Sequence, residues 1–379
     1  MANFLITGSR APVALELARN LATFGHCVFL ADSLRFPLGR RSKFVSKSFY
    51  ITAPRKSLKK YNLELQAILL ENKIDILIPT CEEVFYLSAI KKDLEKYATV
   101  FCPNFELIKS LHSKYKIFTC AEDTGFLVPH SEVVTLEELK KKDNFEGLVV
   151  KKEFCRFGTD VLIEPTNKKI TLSHGKRFIL QEKIVGTEYC SYAIANKGKV
   201  SFVSIYEPKH RVRKTAGIYF EPVVEPTIEQ RIINFCEKNK ITGQIGFDVI
   251  KNEKGVYLLE CNPRATSGLH LLSAMNLSKG FISEYKHNAI SELTLNPKMI
   301  TLAMLLIGFP LAMLNCNIHV WKRDFLRAQD VISLKNDKSF FFYSLLSFAE
   351  IIFISLREFK SLRAASTHDI EWDGEDLDG

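Results

Sequence analysis

The sequence predicts an α/β protein. It has a Rossmann-like parallel-sheet domain at the N-terminus, α+β lobes in the middle and a mostly helical C-terminal extension. Three observations lead there. Short apolar strands and helical runs alternate from Phe4 to Cys102, the pattern of a parallel sheet. From Leu148 to Asn262 apolar runs are separated mostly by turns, the pattern of antiparallel hairpins. From Pro297 onward the apolar runs become too long for strands.

The bulk properties narrow the function. At 379 residues the chain is long enough for two or three domains, and its 46% apolar and 25% charged residues are ordinary globular values. A net charge of +9 suits anionic substrates such as nucleotides, or simple solubility. No Lys/Arg block exceeds a few residues, so nucleic acid is not an expected partner. The nine cysteines form no Cys-x-x-Cys pair and read as small core residues in a reducing compartment. Met1-Ala2-Asn3 leads straight into a strand with no secretory pattern, and a cytoplasmic protein is expected.

Taken in order, Phe4–Thr7 is a strand, Ala14, Leu17, Ala18 and Leu21 line one face of a helix, and Cys27–Ala31 is a second strand ending at Asp32. Gly8 and Asp32 raise a rival reading as a nicotinamide dinucleotide site. Gly8-Ser-Arg-Ala-Pro, however, supplies one glycine where the fingerprint needs three. A helix near Leu63–Glu71, a strand at Asp75–Pro79, a helix at Val84–Tyr97 and a strand at Thr99–Cys102 continue the alternation. Thr80-Cys81-Glu82-Glu83 falls at the carboxyl edge, where such sheets place ligands, with helix capping by Thr80 as the competing role. Ser110–Gly125 reads as helix. Leu148–Lys151 is a strand ending on a lysine placed to meet a phosphate. The polar loop 152–160 follows, then a returning strand at Val161–Ile163.

Phe178–Ile184 is the next strand. Tyr189–Ala195 and Val200–Tyr206 form a hairpin around Asn196-Lys-Gly198. Between Glu207 and Gly217 lie His210, Arg211, Arg213 and Lys214, either a solvated basic loop or an anion clamp. After a helix in Pro222–Gly243, Phe247–Ile250 and Val256–Leu259 flank turn residues around Lys254. This hairpin sets Asp248 opposite Glu260, with Asn262 on the same face as Glu260. Two carboxylates and an amide oxygen are hard ligands for Mg²⁺, and Pro263 ends the strand before Arg264. Leu269–Met275 reads as helix. The apolar runs Met299–Leu314 and Phe340–Leu356 are shorter than a spanning helix needs, so buried or amphipathic helices are expected. Membrane-surface contact through 299–356 stays open but is not expected. The acidic end from Asp369 reads as mobile or loosely docked.

Leu258-Leu259-Glu260-Cys261-Asn262-Pro263-Arg264 resembles the metal-binding end of the ATP-grasp enzymes, and over roughly residues 1–275 other family elements occur in the family's order. The resemblance implies an ATP-grasp fold divided into an N-terminal domain (1–110), a small lobe with its lid (111–185), a large lobe with the metal site (186–296) and the extension (297–379). It implies that Lys114 and Lys151 contact ATP and that Glu182, Lys183 and Ile184 read adenine. Glu188 would hold the ribose, Asp248, Glu260 and Asn262 would hold Mg²⁺, with Mn²⁺ as an alternative, and Arg264 would steady an acyl phosphate. Lys151 and Arg264 are then the catalytic cations. His210, Arg211, Arg213, Ser267 and His270 are local candidates for holding substrate. The implied activity is ATP-dependent joining of a small carboxylate to an amine, with a homo-oligomer allowed. Loop 152–160 departs from the family in having one glycine, Gly158, so Thr159 or Arg156 would have to cover the phosphates. That departure keeps a non-catalytic ATP-binding scaffold as the alternative.

Overall fold

The computed structural model describes residues 1–154, 161–166, 177–212, 216–282, 296–333, 337 and 339–377. The N-terminal sheet is parallel, in the order β3-β2-β1-β4-β5. Its elements are β1 (Asn3–Thr7), α1 (Pro12–Thr23), β2 (Cys27–Asp32), β3 (Lys47–Tyr50), α2 (Leu58–Glu71), β4 (Ile76–Ile78), α3 (Val84–Ala89), α4 (Lys91–Leu94) and β5 (Thr99–Val100). Helix α1 needs no polar cap because Pro12 starts it, where an N–H would be orphaned anyway. The expected helix Val84–Tyr97 is interrupted at Ile90. The strand β3 has no buried residue and no apolar alternation to reveal it. Both faces of the sheet are covered, by Ala14, Leu17 and Leu21 on one side and by Tyr61, Leu65 and Phe85 on the other.

Two short helices follow, α5 (Phe105–His112) and α6 (Ile117–Ala121), where one helical run was expected. The break has a local cause. Ser113 is extended and its hydroxyl donates to Glu153 Oε1 at 2.6 Å, which takes the backbone out of helix and presents Lys114. A four-stranded antiparallel sheet, in the order β6-β9-β7-β8, comprises β6 (Ser131–Val134), β7 (Leu148–Lys152), β8 (Val161–Ile163) and β9 (Phe178–Glu182). Helix α7 (Leu136–Lys141), with a capping box between Thr135 and Glu138, contributes Leu139 to this lobe's core.

The third sheet has seven strands, in the order β14-β13-β10-β11-β12-β15-β16. Its elements are β10 (Thr187–Asn196), β11 (Lys199–Val212), β12 (Ala216–Pro222), α8 (Pro226–Lys238), β13 (Gly243–Asn252), β14 (Gly255–Asn262), α9 (Ser278–Ile282), β15 (Lys298–Met299) and β16 (Gln329–Asp330). Helix α8 buries Ile228, Ile232 and Phe235 against one face of this sheet. The segment expected to be a basic loop is largely strand. Lys209 pairs with Tyr219 and Arg211 with Gly217, while His210 between them takes φ +48° and interrupts the ladder. Ser267–Leu272 is a 3₁₀ turn rather than the expected α-helix.

The extension is helical in α10 (Thr301–Ala303), a π-turn (Met304–Gly308), α11 (Phe309–Leu314), α12 (Ile318–Arg327), α13 (Ser339–Arg357) and α14 (Leu362–Ala365). Its strands β15 and β16 complete the large sheet. Among the described residues no helix is long and apolar enough to cross a membrane.

The acidic end is not loose. Asp369 meets Arg10 at 2.6 Å, Tyr86 Oη donates to Glu375 Oε1 at 2.8 Å, and Trp372 is 2% exposed between Phe85, Phe105 and Phe154. A large indole within the acidic run outweighs the solubility of its neighbours.

Candidate active site

The hairpin of β13 and β14 builds the centre. Asn252 pairs with Gly255 across the two-residue turn, and that register sets Asp248 directly opposite Glu260 and Gly246 opposite Asn262. The ladder shifts between Asp248 and Val249, so the two carboxylates share a site at an irregularity of the sheet. Gly246 is required here, because a Cβ would meet the Ser191 carbonyl at 2.8 Å.

Two lysines converge on these acids from the neighbouring elements. Lys114, delivered by the break between α5 and α6, places Nζ 2.8 Å from Glu260 Oε2. Lys151, buried near the end of β7, places Nζ 3.4 Å from the Leu259 carbonyl. Burial pushes the Glu260 carboxyl up, but the Lys114 ammonium, a hydrogen bond with Asp248 and the nearby Lys151 hold it well below the usual range. Burial and the adjacent Glu260 charge raise Asp248 to about 7. The pair is therefore split, one carboxylate held charged and the other near its titration point. Glu260 keeps 26% of its side chain exposed, so solvent reaches it.

Arg264, just past the end of β14, donates through Nε to Glu82 Oε1 at 2.7 Å and through its NH2 group to Asn262 Oδ1 at 3.3 Å. Glu82 is the partner that sequence reasoning left unassigned. Its position on the carboxyl edge of the N-terminal sheet was the available signal. Thr80 is not a helix cap. Its hydroxyl donates to the carbonyls of Thr7 and Gly8, and Glu83 takes the cap position of α3. His112 lies near Glu82, Lys114, Arg264 and Glu260, and burial lowers it to about 4, so it is neutral at ordinary pH.

The remaining candidates divide. Glu182 ends β9 beside Leu148 of β7, and its carboxylate accepts from the His130 N–H at 3.3 Å. The Lys183 N–H is bonded to the Gly147 carbonyl at 2.8 Å, so any reading of a base by its main chain falls to its carbonyl. Its Nζ pairs with Glu164. Ile184 follows directly. Glu188, on β10, is exposed and ion-paired to Arg211 of β11. His210 Nε2 lies 2.9 Å from Asp324 Oδ2 on α12, a contact to the extension. His270 is buried between Phe220 and Glu16, and Ser267 begins the 3₁₀ turn beneath β10 and β11. Arg213 and the loop residues Arg156, Gly158 and Thr159 lie outside the described residues.

The rival dinucleotide reading fails on geometry. Asp32, 3% exposed, has its oxygens taken by the Arg10 guanidinium at 2.7 Å and by the main-chain N–H groups of Arg10 and Leu34. Arg10 in turn is clamped by Asp369, so a ribose would have to displace a buried ion network.

The described residues hold no cluster of three or more His, Cys, Asp or Glu fit for a metal. The candidate set is two carboxylates and the Asn262 amide oxygen, all hard oxygen donors with one carboxylate ionised and reached by solvent. That chemistry fits Mg²⁺.

Comparison with known proteins bears on the fold. Residues 111–268 match the family model of the ATP-grasp domain. The fold extends beyond that segment. N5-carboxyaminoimidazole synthetase from Staphylococcus aureus is similar over 82% of this chain and 86% of its own, with a TM-score of 0.59 at 15% identity. The L-amino acid ligase from Bacillus licheniformis is similar over 73% and 69% (TM-score 0.55, 13% identity). Phosphoribosylamine–glycine ligase from Thermotoga maritima is similar over 76% and 77% (TM-score 0.55, 15% identity). At these identities the likeness is one of fold. No curated protein matches the sequence.

Proposed function

We propose that this protein is an ATP- and Mg²⁺-dependent ligase that joins a small carboxylate to an amine. The observation that carries the reading is the meeting of Lys114 and Lys151 with Asp248 and Glu260 at one site, with Arg264 beside them. The S. aureus enzyme with this fold has also been solved with ADP.

The charges explain why such a site is needed. A carboxylate oxygen attacking the γ-phosphorus of ATP brings anion to anion, and the bond to the ADP oxygen breaks as the acyl phosphate forms. Lys151 and Lys114 supply the fixed positive charge for the phosphates. Mg²⁺, held by Asp248, Glu260 and Asn262, would neutralise and orient the phosphate oxygens. Arg264, kept in place by Glu82 and Asn262, is positioned to bind the acyl phosphate oxygens. The amine then attacks the acyl carbon, phosphate leaves and the nitrogen loses its proton, giving an amide, ADP and phosphate. Glu182, Lys183 and Ile184 flank the adenine end, and Glu188 with Arg211 the ribose end. Arg213, Ser267 and His270 are the remaining substrate-side candidates, while the Asp324 bond of His210 ties that residue to the extension.

The test is ADP release over a panel of amino acids and small acids, singly and in pairs, with the product weighed by mass spectrometry. Glu260→Ala should abolish Mg·ATP-dependent ADP release in a folded protein, and full activity in that variant would refute the reading. Tight ATP binding with no turnover across the panel would favour a non-catalytic scaffold.

A further inference from the structure

The segment Thr301–Leu314 is apolar on every side. Its inner face, Met304, Gly308 and Ala312 at four-residue spacing, is buried, and this end of the fold packs through Ile218, Tyr219, Met299 and Trp321. Its outer face should then be polar, as on any helix at a water surface. Instead it exposes Leu302, Leu305, Leu306, Leu311, Met313 and Leu314, with Leu306 at 66% and Leu314 at 79%. Thr301 is the only residue of the segment with a polar side chain.

The charges around this face are predominantly positive. Helix α12, which packs back on the segment through Trp321, exposes Lys322, Arg323 and Arg327. Its single acid, Asp324, is 1% exposed beneath them, bonded to His210 and Arg323. Arg327 is ion-paired to Glu221 of β12, which Lys209 also meets, so the two lysines and two arginines of this cluster outnumber its two acids.

We infer that the α10–α12 hairpin docks onto an anionic lipid surface, with the outer leucines in the interface and the α12 cations against the headgroups. The segment is about 21 Å long at ~1.5 Å per residue, too short to span a bilayer core of about 30 Å, so it lies in the interface. The contact reverses the expectation from sequence, because periodicity alone cannot tell an apolar run that is buried all round from one with a bare outer face. Charge complementarity selects lipid over a second copy of the chain, whose hairpin would bring the same cations to the joint. The inference is independent of the ligase reading.

The full-length protein is floated with vesicles of phosphatidylcholine, alone or mixed with phosphatidylglycerol, at low and high salt. Association with the anionic vesicles is expected, weakened by salt. It should fall at least about tenfold in Leu306→Ser/Leu314→Ser and severalfold in Lys322→Gln. All three side chains point outward, so the thermal melting of both variants should match the parent's. Leu63→Ser, at an exposed leucine on α2, should bind as the parent does. Absence of flotation, or unchanged flotation of the double variant, would overturn the inference. A dimer in light scattering that the double variant dissociates, with no vesicle binding, would overturn it in favour of a second copy.

Discussion

Lys114 Nζ stands 2.8 Å from Glu260 Oε2, and the two meet only because the chain breaks or turns beneath them. The lysine comes from a helix interrupted at Ser113, the glutamate from a hairpin whose register is set by a two-residue turn. The ammonium keeps the carboxylate charged, which is the form a metal ion needs.

Replacing Lys114 by Met removes a charge-assisted hydrogen bond worth about 1.5–3 kcal/mol. ATP affinity should therefore fall on the order of tenfold to a hundredfold, measured by calorimetry with a non-hydrolysable analogue and Mg²⁺. If the pair served folding alone, the variant would melt earlier with its nucleotide affinity unchanged.

Mg²⁺ affinity should depend on pH through Asp248. Burial and the Glu260 charge raise its carboxyl to about 7, and the metal requires the deprotonated form. Affinity should thus be highest above pH 7 and decline as the pH drops through it. Asp248→Asn should flatten that profile while weakening binding throughout. A Mg²⁺ titration of the ATP complex at several pH values checks both effects.

The parallel N-terminal sheet and the β13–β14 hairpin were legible because their signals are local. Apolar runs at fixed spacing mark Phe4–Thr7 and Cys27–Ala31, and turn residues around Lys254 fix which acids face each other. Contacts between distant segments were not legible. Nothing near Arg264 in sequence names Glu82, 182 positions away, and nothing near Trp372 announces Phe85 and Phe154. The interruption at Ser113 escaped for the same reason, because its cause is Glu153, 40 positions away.

The docked end makes a measurable contribution. Burial opposes ionisation of Asp369, but Arg10 holds its carboxyl down at about 2, below the ordinary value for a free aspartate. A depressed acid stabilises the fold above its unfolded pKa and loses that contribution as pH falls through the folded value. The end should therefore stay docked at neutral pH and release between about pH 4 and 2. Trp372→Ala empties a buried aromatic site and should cost about 3–5 kcal/mol, lowering the melting temperature by several degrees. The chain has two tryptophans, so a Trp321→Phe background isolates Trp372, and its emission against pH reports the release.

Arg264 and Glu82 make the sharpest test of the proposed chemistry. The guanidinium spans two acceptors, Glu82 Oε1 and Asn262 Oδ1, a reach a lysine ammonium lacks. Arg264→Lys keeps the charge but loses the fork, so the rate of ADP release should fall by about ten- to a hundredfold with ATP affinity nearly unchanged. Glu82→Gln keeps a hydrogen-bond acceptor for Arg264 but removes the charge, and should lower the same rate less. If Arg264 were only a strut between the N-terminal sheet and the hairpin, both variants would melt earlier and the rate per folded molecule would hold. Steady-state ADP release compared with thermal melting separates the two outcomes.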